Sequence, residues 1–223
     1  MNITESIELF LKELANKRST KTINKYEYVL YLFSSYLANY GELSYEEHKD
    51  TGCLITADTK KLHDGLVSNF LEWFLIRKVI GPQWLNTAAP SVMKAYIKWL
   101  VSQGLITEGS MDEIVETTKK ASKDLPRVEK AARLLYKLCD ENSYKLDADE
   151  LNDDDRMEGY GEVTMMLDDK LFLNYEGDKI GPIMITREIA KYIKPGDTIN
   201  LVVGKKGEIW HPLEVGNVYP GPA

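Results

Sequence analysis

The sequence predicts an α+β chain in two domains: an all-α domain of five to six helices over residues 1–140 and a small all-β barrel over residues 159–223. Three observations predict it. Apolar residues recur every three or four positions as far as about residue 140. Acidic residues then crowd a stretch poor in apolar ones, with Asp147, Asp149, Glu150, Asp153, Asp154 and Asp155, which reads as a linker over 141–158. After Gly159 the apolar period shortens to two.

In the first helix Ile7, Phe10, Leu11 and Leu14 follow helical spacing behind Thr4, a candidate cap. Ser19 or Thr20 opens the second, which carries Ile23, Tyr26, Leu30, Phe33, Leu37 and Tyr40 and stops at Gly41, a glycine at the position after the helix end. Residues 42–57 are polar, hold a Thr51-Gly52 turn and show no period. A third helix is predicted from about Thr59 to Ile80, with Leu66, Phe70 and Phe74 on one face and Gly81-Pro82 as its stop. Pro90 suits the first turn of a fourth, containing Met93, Tyr96, Ile97 and Leu100 and closed by Gly104. Ser110 to Glu113 has the form of a capping box for a short fifth helix reaching Lys120, and Pro126 opens a sixth with Val128, Ala132, Leu135 and Leu138. These stripes read as core packing.

In the β region Val163, Met165 and Leu167 alternate, then Leu171, Leu173 and Tyr175 across an Asp168-Asp169 turn. Gly177-Asp178 turns into Ile183 and Ile185, residues 187–193 form a helical turn or two, and Ile199, Leu201 and Val203 make a fourth strand. A tight turn at Gly204 to Gly207 precedes Ile209, His211, Leu213 and Val215. Five short strands with a helical turn between the third and fourth is the order of an OB-type barrel, with an SH3-like barrel as the alternative.

Composition narrows the function classes. With 43% hydrophobic residues the chain of 223 is not a disordered one. The run 70–76 is broken by Glu72 and followed by Arg77 and Lys78, far short of the ~20 apolar residues of a membrane span. The N-terminus has neither a basic head nor an apolar segment, and Cys53 and Cys139 form no CxxC pair, so a reduced, cytoplasmic protein is expected. The net charge of −7 weighs against nucleic acid, but the excess acid sits mostly in the middle of the chain and residues 1–125 are near neutral.

Several constellations are set aside. His48, Cys53 and His63 lack paired metal-ligand spacing, so no metal or other cofactor is expected. The acidic stretch lacks the glycine and terminal glutamate of a calcium loop. Lys205 and Lys206, between Gly204 and Gly207, have no strand–loop–helix context for phosphate. Phe172 and Trp210 fall out of phase with the apolar faces of their strands, which places them outside the core. Near Lys170, Lys205 and Lys206 they form a barrel surface for a protein partner or, less favoured, for single strands.

Two segments carry a resemblance. Ser6 to Tyr40 sets a short amphipathic helix before Arg18-Ser19-Thr20-Lys21-Thr22-Ile23-Asn24-Lys25-Tyr26 and a long helix. Phe70 to Ile106 sets Asn86-Thr87 before a helix with Tyr96, Trp99 and Leu100, followed by Gly104-Leu105-Ile106, and Asp124-Leu125-Pro126 looks like the linker to a further domain. Over about 125 residues this resembles the N-terminal core-binding (SAM-like) domain of the tyrosine recombinases, the phage integrase family.

The resemblance implies a helical domain that grips double-stranded DNA through the N-terminal parts of the second and fourth helices. The matching positions are Lys17, Arg18, Lys21, Thr22 and Lys25, with Asn86, Thr87, Ser91 and Lys94. The family's catalytic domain is not matched. His48, His63 and His211 lead to Thr51, Leu66 and Glu214 where a His-x-x-Arg motif needs arginine, and the residues after Lys137 read as β. The expectation is a non-catalytic DNA-binding protein, an accessory or regulatory factor in DNA recombination or integration. The alternative is a protein-interaction scaffold that keeps the fold without DNA.

Overall fold

The structure, a computed structural model, describes residues 1–48, 52–143 and 155–221. The chain is mixed α/β with a closed five-stranded barrel, and divides into two compact units, Met1–Lys123 and Asp124–Ala223.

In the first unit, α1 (Ile3–Ala15) is capped by Asn2 instead of Thr4. Asn2 Oδ1 accepts from the Glu5 amide at 2.8 Å, and the Asn2 amide donates to Glu5 Oε2 at 3.0 Å. Thr4 lies inside the helix, and its Oγ1 accepts from the Ile55 amide at 2.7 Å. Ser19 caps α2 (Thr20–Tyr40) as expected. Gly41 ends α2 for a reason other than the one expected. Its φ is −88°, ordinary for any residue, but a Cβ there would lie 2.9 Å from the backbone of Leu37; the left-handed conformation falls to Glu42, at φ 53°.

The polar stretch without a period is a hairpin of β1 (Tyr45–His48) and β2 (Gly52–Ile55), its alternation hidden because Tyr45, Glu46 and Glu47 are exposed and, of Cys53, Leu54 and Ile55, just the last is buried. The turn read at Thr51-Gly52 rests on Thr51, outside the described residues.

The predicted third helix is several pieces: a 3₁₀ turn (Thr59–Lys61), α3 (Asp64–Asn69), a π-helical turn (Phe70–Phe74) and α4 (Leu75–Lys78). The Leu75 amide donates to the Phe70 carbonyl, five residues back. The extra residue widens the apolar face, so Phe70, Leu71, Phe74 and Leu75 are all buried. The fourth helix, α5 (Leu85–Ser102), starts five residues before Pro90, whose ring is buried among the helix's apolar positions. Gly104, at φ 68°, ends it with a paired bond set: its amide donates to Val101 and the Leu105 amide to Leu100.

The predicted fifth and sixth helices are one, α6 (Glu108–Ser143), with Pro126 inside. Its start at Glu108 precedes the capping box read at Ser110. Ile114, Thr118, Ala121, Leu125, Val128, Ala131, Leu135 and Cys139 make a continuous buried stripe at helical spacing, which carries the helix through the proline. The predicted linker also loses its ends, since residues 141–143 belong to α6 and 156–158 to the first barrel strand; residues 144–154 lie outside the described ones.

The second unit holds the end of α6 and the barrel: β3 (Arg156–Leu167), β4 (Lys170–Tyr175), β5 (Asp178–Met184), β6 (Thr198–Lys206) and β7 (Ile209–Tyr219) in the closed order β3-β4-β5-β7-β6. All pairings are antiparallel except β5–β7, a parallel contact at Ile183 and Trp210. The helical turn predicted between the third and fourth strands is α7 (Arg187–Ala190), capped by Thr186. The last hairpin turns at Gly207 and Glu208, with Gly204 to Lys206 inside β6.

Two predicted alternations fail, each at a register shift. Between β3 and β4 the register slips at Thr164, so Met165 and Leu167 point out, 41% and 51% exposed. Between β6 and β7 it slips at Leu213, so Trp210 turns inward, 9% exposed, and Ile209 outward. One extra residue exchanges the two faces of a strand.

Asp197, at the start of β6, is the polar centre of this unit. Its carboxylate accepts from Arg127 Nη1 at 2.6 Å and Nη2 at 2.9 Å, from the Lys194 amide at 2.8 Å and from the Gly221 amide at 3.1 Å. Arg127 also donates to the Tyr192 carbonyl and to Asp124. Burial by itself lowers the Arg127 pKa, but Asp197 and Asp124 outweigh it and leave the pKa raised. Arg127→Ala strands a buried carboxylate and is expected to destabilise the protein by about 3–5 kcal/mol in urea denaturation. An Arg127→Ala, Asp197→Asn pair is expected to recover part of that loss.

Candidate nucleic-acid interface

The first unit brings two of the predicted segments together. Trp84 is the residue on which α5 starts; Lys25 Nζ lies 5.1 Å from its ring centroid, and Tyr28 packs edge-on against it at 5.7 Å. Lys21, Lys25 and Tyr28 share one side of α2 by their spacing of four and three. The first two turns of α2 therefore meet the start of α5. Phe10 fixes the angle from behind, with Tyr26 at 6.0 Å and both Tyr96 and Trp99 at 5.5 Å, while Trp99 Nε1 donates to Glu13 at 3.0 Å.

The predicted positions divide by exposure. Lys17, Arg18 and Lys21 are exposed around the α1–α2 turn, as are Thr87 and Ser91 on α5. Lys25 and Lys94 are half-buried. Thr22 is a poorer candidate, since its hydroxyl pairs with Ser19 at 3.1 Å, and Asn86 is half-buried. Among the described residues none of Lys17, Arg18, Lys21, Lys25 or Lys94 is within 4.0 Å of a carboxylate, in contrast to Lys119 with Glu116 and Lys120 with Glu72.

Sequence reasoning missed Trp84, which reads as one more apolar residue before a helix. It also missed Lys98, which continues the spacing of Ser91 and Lys94 and is exposed.

The barrel set does not form the surface predicted for it. Trp210 belongs to the core, with Lys205 Nζ 5.9 Å from its ring centroid; Lys206 is exposed at the hairpin. Phe172 is on the outer side as expected, half-buried, its ring covering Gly181, where a Cβ would collide with it.

A cavity of about 240 Å³ is lined by Lys60, Leu62 and residues 104–107, and one of about 190 Å³ in the barrel by Glu158, Asn200 and Glu214 among others. Cys53 is half-buried; Cys139 is buried, its thiol pushed up to about 12 by burial and by Glu214. Among the described residues no three His, Cys, Asp or Glu side chains gather as metal ligands, and no helix is long and apolar enough to cross a membrane. No family model, curated protein or solved structure matches the chain.

Trp210→Ala is expected to cost about 3–5 kcal/mol, and Phe172→Ala under about 2 kcal/mol, by thermal or chemical denaturation. Lys25→Ala loses only a half-exposed cation–π contact and is expected to cost no more than about 1 kcal/mol.

Proposed function

We propose that the protein is a non-catalytic, cytoplasmic DNA-binding protein that holds double-stranded DNA on the edge shared by the starts of α2 and α5. The observation that carries the reading is Lys25 seated on Trp84. It joins the basic turn at Lys17, Arg18 and Lys21 to the hydroxyl and lysine positions of α5, and none of the five cations has a carboxylate partner among the described residues. Lysines of this kind position a duplex through its phosphates more than they read bases.

The resemblance to the core-binding domain of tyrosine recombinases supports the same edge, and suggests an accessory or regulatory role in recombination or integration. The second unit reads as an OB-type barrel: its first, second, third, fifth and fourth strands close in that order, with a helical turn between the third and fourth. A protein partner suits this barrel better than single strands, because Tyr160, Met165, Leu167 and Ile209 are exposed while Trp210 is buried.

Fluorescence anisotropy with a labelled duplex tests the reading. Binding is expected to weaken steeply between low and moderate salt and to vanish for Lys21→Glu/Lys25→Glu with the fold intact by circular dichroism. Absence of binding at low salt, or binding indifferent to the double substitution, contradicts it and leaves the scaffold reading.

A further inference from the structure

The buried residues of α5 are Leu85, Ala89, Pro90, Val92, Met93, Tyr96, Ile97 and Leu100. At 100° per residue they fill one half of the helix, and the opposite side is the row Trp84, Thr87, Ser91, Lys94 and Lys98, spaced three, four, three and four apart. Its head is the tryptophan under Lys25, so the row continues the basic edge of α2 along the outside of α5. From Trp84 to Lys98 it runs about 21 Å. Thr87, Ser91 and Lys98 are exposed, Trp84 and Lys94 half-buried, and the row contains no acidic residue. Like Lys94, Lys98 has no carboxylate within 4.0 Å among the described residues.

We propose that this row is a track for the sugar–phosphate backbone of duplex DNA, with Lys98 as a phosphate-contacting residue at its far end. The inference rests on the DNA-binding reading and extends it by residue and by mode. The polyanion is the partner the row fits, because it offers two ammonium groups and two hydroxyls along one line. These are groups that hold phosphate oxygens in register without selecting a base. The recognition is therefore of the backbone, with little preference among duplex sequences.

The test measures anisotropy of the intact protein on two unrelated duplexes across a salt series, for the unchanged protein, Lys98→Ala and Lys98→Arg. Each phosphate contact contributes about 0.9 to the slope of log affinity against log salt. Lys98→Ala is expected to weaken binding several-fold at low salt, equally on both duplexes, and to lower that slope by about one; Lys98→Arg is expected to restore both. Lys98 is exposed, so the substitution leaves the core untouched.

Unchanged affinity and slope in Lys98→Ala, with Lys21→Glu/Lys25→Glu still abolishing binding, overturns the track and leaves the DNA reading standing. A loss confined to one of the duplexes also overturns it, since that is base readout. Failure of the unchanged protein to bind either duplex removes the DNA reading itself, and the track with it.

Discussion

The second unit depends on the burial of one carboxylate. Asp197 is 1% exposed, and a charge so placed is tolerated only where donors surround it. Four converge on it: two from Arg127 on α6, one from the Lys194 amide beyond α7 and one from the Gly221 amide after β7. The same residue closes the barrel through its backbone, accepting from the Val163 amide of β3. A helix, a loop, a strand and the chain end beyond β7 are thus committed to one point. That commitment explains how α6 can carry Pro126 one residue before Arg127. The ionic anchor and the buried stripe on both sides of the proline outweigh the lost backbone bond.

The first unit solves a different problem, the placing of several helices against one another. Aromatic rings do most of this. Phe33, Tyr36, Phe70 and Phe74 pack together around the π-helical turn, and Phe10 joins α1 to α2 and α5. Tyr96 is fully buried yet keeps its hydroxyl satisfied by Ser6, and burial raises its pKa despite that bond. With the inner faces so occupied, the lysines of α2 and α5 are left on the outside, and the packing of Trp84 against Tyr28 and Lys25 decides that they lie along a common edge.

Much of this was legible in the residues. The Ser19 cap, the Gly104 stop, the switch of period after Gly159 and the helical turn before β6 follow from local chemistry that tertiary packing did not override. The misread strand faces share a cause: features that add or absorb one residue leave no periodic signal. The slips at Thr164 and Leu213 exchanged the faces of Met165, Leu167 and Trp210, whereas the π-helical turn interrupts the predicted third helix and still leaves Leu66, Phe70 and Phe74 buried together. Prolines at 90 and 126 read as helix starts because their local cost is large, whereas the buried stripes that offset it are spread over many residues. Of the candidate site, the lysines were legible as charges, but that Trp84 gathers them could not be read from spacing along one helix, because the contact joins residues some sixty positions apart.

We propose the edge built on Trp84 as the place where a polyanion lands. Titrating isotopically labelled protein with a short duplex while recording amide and indole resonances tests it most directly. Shifts concentrated in residues 17–25 and 84–98 are expected, with the Trp84 indole among the largest, and a quiet Trp210. Shifts gathered on the barrel strands, or a spectrum that does not respond, would contradict it.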